Sequence, residues 1–248
     1  MPSIIGVIGG SGLYSLGNES DSVATQVLTP FSDEAVVLYK ENIAGRDIVF
    51  LTRHGKNHGI PPHKVNYRAN LKAFQESGVE AIIAVNVVGG ITEAMAPGCI
   101  VIPDQIIDYT WGRQHTYFDE LAAPANHIDF SWPYDLALRK VLAESAASLS
   151  FTVEQGGVYG CTQGPRLESA AEILRLKNDG CNIVGMTAMP EAALARELQI
   201  PYASIALVVN WAAGLTDAEI SFADISSTLD DGIGKIRQII LTAITALP

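Results

Sequence analysis

Tyr202-Ala203-Ser204-Ile205-Ala206-Leu207-Val208-Val209-Asn210 is an almost unbroken apolar run, rich in β-branched residues, that ends on a carboxamide. A run of this kind, without polar alternation, reads as a strand buried on both faces, as in sheets covered by helices. Working outward, runs of the same character stand at Ile4 to Ile8, Ala35 to Tyr39, Ile48 to Leu51, Ala81 to Val88, Val158 to Cys161 and Ile183 to Met186. Between them lie amphipathic stretches that predict helices over roughly 66–76, 134–148, 167–178, 190–198 and 224–246. In the last of these, Ile225, Leu229, Ile233, Ile236, Ile240 and Ile244 fall on one stripe, as expected of a helix packed on a sheet. The alternation predicts an α/β fold, a mixed central sheet flanked by helices, with residues 1–248 forming a single domain.

Composition narrows the function. With 248 residues, 48% apolar and 17% charged, the chain can bury one large core. A net charge of −11 leaves no basic stripe for a phosphodiester backbone, so nucleic acid is not an expected partner. No apolar run reaches membrane-spanning length, and Met1 to Ile8 lacks the basic flank of a secretory leader, so a cytoplasmic location is expected. Cys99, Cys161 and Cys181 are odd in number and widely spaced, which argues against a disulfide framework or zinc knuckle and for core thiols. The Pro124-Ala125-Asn126 region reads as a loop rather than a domain boundary.

Three segments that follow strands carry groups suited to an anion. Gly9-Gly10-Ser11-Gly12-Leu13 is a glycine turn whose N–H groups and Ser11 hydroxyl can cradle an oxyanion, although a tight turn with a hydrogen-bonded serine fits it equally. It lacks the third glycine of a dinucleotide fingerprint, the lysine of a P-loop and the second glycine of a nucleophile elbow. Arg53-His54-Gly55-Lys56-Asn57-His58 would sit at the carboxyl edge of the sheet, where α/β folds bind ligands; the alternative for Arg53 is a surface ion pair. His54, His58 and His63 are interrupted by Gly55, Gly59, Pro61 and Pro62 and have no companion carboxylate, so no metal is expected. In Met186-Thr187-Ala188-Met189-Pro190-Glu191, Thr187 falls near a helix N-terminus, where it is either an anion donor or a capping residue. Separately, an ionised Glu168 only accepts hydrogen bonds while the Asn210 amide donates and accepts.

These segments, with Lys64-Val65-Asn66-Tyr67-Arg68-Ala69-Asn70 and Gly164-Pro165-Arg166, resemble in order the purine nucleoside phosphorylase superfamily, in its methylthioadenosine phosphorylase branch. The resemblance runs from near residue 4 to about 210. It implies a nucleoside phosphorylase-like fold, a homotrimer with active sites at subunit contacts, no cofactor, and phosphorolysis of a purine nucleoside with inorganic phosphate as co-substrate. It implies that Ser11, Arg53, His54 and Thr187 hold phosphate with the backbone of Asn86 and Val87 beside it, that Met186 underlies the ribose, and that His127 reaches a neighbouring subunit's 5′ pocket.

Departures from the branch carry the specificity. Methylthioadenosine phosphorylases resemble one another in having two aspartates where this chain has Asn210 and Ala212, and a serine where it has Glu168. Glu168 with Asn210 instead resembles the pair that reads hypoxanthine and guanine, and both are the expected catalytic groups at the base. A carboxylate facing N1–H of a 6-oxopurine gains a bond, whereas against the lone pair of adenine it loses one. The stretch Ile220-Ser221-Phe222-Ala223 stands where purine nucleoside phosphorylases resemble one another in placing a histidine for the 5′ hydroxyl, and its small or apolar residues, Ala223 among them, suit a thioether better. The combination implies a phosphorylase of a 5′-methylthio nucleoside of hypoxanthine, with a methylthioadenosine enzyme and a general 6-oxopurine nucleoside phosphorylase as alternatives.

Overall fold

A computed structural model describes residues 4–17, 22–119 and 127–247. Pro124, Ala125 and Asn126 lie outside the described residues. The chain forms β1 (Ile4–Gly9), β2 (Val23–Thr29), β3 (Ser32–Ile43), β4 (Arg46–Thr52), α1 (Tyr67–Glu76), β5 (Ala81–Gly90), β6 (Ile100–Ile102), β7 (Gln105–Asp108) and α2 (Leu136–Ser148). It continues with β8 (Glu154–Gln155), β9 (Val158–Cys161), α3 (Ala170–Asn178), β10 (Ile183–Gly185), α4 (Ala188–Glu197), β11 (Tyr202–Trp211) and α5 (Phe222–Ala246). Among the described residues, all strands join one 11-stranded mixed sheet.

The branch point of that sheet is β5. Its first half pairs in parallel with β1 on one side and with β11 on the other. At its far end Gly89 and Gly90 pair antiparallel with Val184 and Ile183 of β10. Strands β4, β1, β5 and β11 therefore run the same way, and their carboxyl ends open onto one edge. Because both faces of β5 and β11 are covered, Ala81 to Val85 and Tyr202 to Val209 are buried almost completely, which is why they read as continuous apolar runs.

Successive side chains of β11 enter different cores. Tyr202, Ala206 and Val208 pack with α1 and α4, while Ala203, Ile205, Leu207 and Val209 pack with α2 and α5. On α5, Ile236, Ile239, Ile240, Ala243 and Ile244 are fully buried, and the Ile225, Leu229 and Ile233 end of the stripe is partly buried nearer the site. Burial of each isoleucine contributes about 1.5–3 kcal/mol, so an aspartate at Ile240 would undock the helix.

The structure corrects several sequence expectations. The run Ala35 to Tyr39 belongs to a longer β3 that is half exposed, because β2 covers only its edge. Strands β2, β6, β7 and β8 were not expected; β2 is largely exposed and β6 and β8 are very short. Helix α3 begins at Ala170 rather than 167, and α2 at Leu136 rather than 134. Cys161 and Cys181 are buried, but Cys99 is only half-buried. Among the described residues, no helix is long and apolar enough to cross a membrane.

Candidate active site

Five strand ends meet around one cavity of about 540 Å³, within the usual range of small-molecule sites. The turn after β1 supplies Ser11, the turn after β4 supplies Arg53 and His54, and the end of β5 supplies Val87. The segment after β10 supplies Met186 and Thr187, and the end of β11 supplies Asn210 and Ala212. Glu168 enters from the segment before α3.

The turn at Ser11 needs its glycines. Leu13 N donates to Gly10 O at 3.2 Å, Gly12 sits at φ +82°, and a side chain on Gly10 would lie 2.6 Å from the Val85 carbonyl oxygen of β5. The backbone thus passes tightly against β5 and leaves Ser11 half-buried at the cavity wall.

Arg53 is not a surface ion pair. It is 1% exposed and forks onto the equally buried Glu191, with Nε and Nη2 each donating at 2.7 Å, while Nη1 donates to Val85 O at 2.9 Å. Tyr202 Oη donates to the same carboxylate at 2.8 Å. Burial alone would lower the Arg53 pKa, but Glu191 outweighs it and holds the guanidinium above its ordinary value. The pair is formally neutral, so Arg53 offers the cavity its remaining N–H donors rather than an uncompensated charge.

His54 is also neutral. Burial, with the Arg53 charge beside it, lowers its pKa to about 4, and its Nδ1 lies 2.8 Å from Ile60 O. A carbonyl only accepts, so Nδ1 carries the proton and Nε2 presents a lone pair. His58 packs against it with ring centroids 4.6 Å apart and lies 3.5 Å from Ser11 Oγ. Among the described residues no group of three His, Cys, Asp or Glu side chains is placed to hold a metal ion.

Thr187 occupies the N-cap of α4 but makes no capping bond with its side chain. Its hydroxyl oxygen instead accepts from Asn86 Nδ2 at 2.8 Å. Asn86 is 1% exposed and does not line the cavity; it lies behind Thr187. Of the Asn86-Val87 backbone, the cavity is lined by Val87.

Glu168 is neither a cap nor a salt-bridge partner. Ser169 caps α3 in a capping box with Glu172, and Arg166 pairs with Glu172. Glu168 turns into the cavity, where Thr162 Oγ1 donates to its Oε1 at 2.6 Å. Asn210 follows a bulge in β11, where pairing slips between Val208↔Val88 and Asn210↔Gly89. The extra residue re-aims the side chains beyond it, a common device at sites on sheet edges. Asn210 Nδ2 donates to Trp211 O at 2.7 Å, which anchors the amide while leaving Oδ1 and the second N–H.

One end of the cavity is apolar. Ile60, Pro61, Pro62, Ile220 and Ile225 line it. Ala223 does not: it is exposed on the first turn of α5, and the cavity meets Ile220 and Ile225 on either side of it. His127 is exposed and lines no part of this cavity. One organising residue escaped the sequence reading. Arg113 is 9% exposed and donates to the carbonyl oxygens of Thr162, Gln163, Met186 and Met189, tying together the two loops that carry Glu168's partner and Thr187. A lone arginine in a loop carries no periodic or spacing signal for this.

Known proteins supply the comparison. The model of the family described as the phosphorylase superfamily matches residues 4–245. A protein of Pseudomonas syringae pv. tomato named a probable S-methyl-5′-thioinosine phosphorylase is 48% identical over 244 residues, covering 98% of this chain and 99% of its own. A 6-oxopurine nucleoside phosphorylase of Pyrococcus furiosus is 41% identical, covering 98% of this chain and 93% of its own. The structure of methylthioadenosine phosphorylase from Schistosoma mansoni in complex with adenine superposes with a TM-score of 0.92 at 30% identity, over 98% of this chain and 91% of its own. With a family match over residues 4–245 and relatives 41–48% identical over 98% of the chain, the chain belongs to the phosphorylase superfamily.

Proposed function

We propose that the protein cleaves S-methyl-5′-thioinosine with inorganic phosphate, releasing hypoxanthine and 5-methylthioribose 1-phosphate. The observation that carries this reading is that Glu168 and Asn210 line the same cavity as Ser11, His54 and Thr187. Relatives named probable S-methyl-5′-thioinosine phosphorylases at 45–48% identity support it.

In this reading Ser11, Arg53, Thr187 and the Val87 backbone donate to phosphate under C1′, and His54 Nε2, which only accepts, takes the proton of a monoprotonated phosphate. A phosphate oxygen forms its bond to C1′ as the bond from C1′ to N9 breaks, and the electron pair leaves with the purine. The phosphate's negative charge stabilises the positive charge that develops on the ribosyl ring. A site built from neutral His54, the compensated Arg53 and Glu191 pair, and hydroxyl donors leaves that charge on the nucleophile rather than quenching it. Glu168 Oε2 takes N1–H of the base, with Oε1 occupied by Thr162. Asn210 meets N7 and O6, where negative charge gathers on the leaving group. Ala212 leaves no carboxylate for an adenine amine, and Met186 packs under the ribose.

Ile220 and Ile225 offer the 5′ substituent no polar partner, which favours a thioether over a hydroxyl. We further infer a cytoplasmic homotrimer in which His127 approaches a neighbour's 5′ end, and catalysis without a cofactor. Phosphate-dependent turnover of methylthioinosine, methylthioadenosine and inosine, measured side by side, tests the assignment. Methylthioinosine is expected to have the highest kcat/KM, and a preference for methylthioadenosine would overturn it.

A further inference from the structure

Behind the anion end of the cavity lies a buried chain of hydrogen bonds that reaches from the sheet interior to Thr187. Ser204, on β11 and 0% exposed, places Oγ 2.7 Å from Asn86 Oδ1; Asn86, on β5, donates through Nδ2 to Thr187 Oγ1 at 2.8 Å. The pairing of β5 with β11 and of β5 with β10 brings the three together from two strands and the segment after β10, since Ala206 sits opposite Asn86 and Val184 opposite Gly89.

The chain has a direction. An amide oxygen only accepts, so the Ser204 proton is spent on Asn86 Oδ1, which fixes the amide the other way round from a donor facing Ser204. The amide N–H then occupies a lone pair of Thr187 Oγ1. With that side of the oxygen filled, the Thr187 proton has two acceptors left, the buried Tyr159 Oη beside it and an anion in the cavity that Thr187 lines, and the charged acceptor is the stronger. The reversed sense would aim the Asn86 N–H at Ser204 and strand the Ser204 proton at a fully buried site, at a desolvation cost.

We propose that Ser204 and Asn86 are positioning residues that commit the Thr187 hydroxyl to donating into the cavity, toward a tetrahedral oxyanion of the phosphate class. The proposal rests on the reading of this end of the cavity as the phosphate site. Neither residue touches the ligand; each acts through Thr187.

Ser204→Ala frees Asn86 to turn and Thr187 to spend its proton inward. The expected result is a rise in the phosphate KM of about 3- to 10-fold, the size of one neutral hydrogen bond, with the nucleoside KM unchanged within about 2-fold. Ser204→Thr, which keeps the hydroxyl, should restore the wild-type phosphate KM. In a Thr187→Val background, Ser204→Ala should have no further effect. If Ser204→Ala does not fold, Ser204→Cys, with its weak donor, replaces it in every comparison with the same expected direction. An equal effect on both KM values, or the same fold-change with and without Thr187, would overturn the relay while leaving the phosphorylase reading intact. A wild-type protein with no phosphate-dependent turnover would overturn both.

Discussion

Glu168→Gln tests how the base is read, and the structure sets the size of the effect. Thr162 holds one carboxylate oxygen at 2.6 Å, so the other is the one available to the ligand. A glutamine has two ways to fit. If its carbonyl keeps the Thr162 proton, its NH₂ faces the purine N1–H, donor against donor, and the whole charged hydrogen bond is lost, about 1.5–3 kcal/mol. If it turns over, Thr162 Oγ1 can redirect its proton to Gly185 O, 3.3 Å away, and the base keeps a neutral bond at a loss of about 1 kcal/mol. The expected fall in kcat/KM for methylthioinosine is therefore about 5- to 150-fold. For methylthioadenosine the first arrangement supplies the donor that adenine N1 accepts, so its kcat/KM should hold or rise by about 2- to 10-fold. Initial rates at saturating phosphate, followed by purine absorbance for each nucleoside, measure the ratio. A loss by the same factor for both substrates would refute the idea that Glu168 discriminates at N1.

Three further outcomes follow from the same geometry. Glu191→Ala leaves the Arg53 guanidinium buried without its counter-charge and should destabilise the protein by about 3–5 kcal/mol in chemical denaturation, with activity falling alongside. His54 has its pKa lowered to about 4, so between pH 6.5 and 4 the unfolded chain binds a proton that the folded chain does not. Stability therefore falls as pH drops through that window, by at most about 3 kcal/mol, and His54→Gln should flatten that part of a stability against pH profile. Ile220→Asn places a polar partner at the apolar end of the cavity and should shift the ratio of kcat/KM values toward inosine and away from methylthioinosine by several-fold, read from paired rate measurements.

Much of the site was legible because parallel strands place their following residues on one edge. Ser11, Arg53, His54, Thr187 and Asn210 each follow or end a run that is apolar on both faces, and such runs announce themselves. Pairing across the sheet was not legible. Asn86 meets Thr187 only because β10 runs antiparallel against the end of β5, and no local pattern states which strands become neighbours. The bulge that aims Asn210 is likewise a matter of register between two strands rather than of either sequence alone. Arg53 resembled a free anion binder because its partner Glu191 lies 138 residues further along the chain, in the first turn of α4. Ala223 was one turn misplaced: the choice among Ile220, Ala223 and Ile225 depends on where α5 starts, the least certain feature of any helix read from sequence. Strands β2 and β8 carry too little buried surface to mark themselves.

A crystal structure with hypoxanthine and phosphate bound together tests the central claim most directly. The account expects a Glu168 carboxylate oxygen within about 3 Å of N1, the Asn210 amide against N7 and O6, and phosphate among Ser11, His54 and Thr187. Either Glu168 or Asn210 turned away from the ring would contradict it.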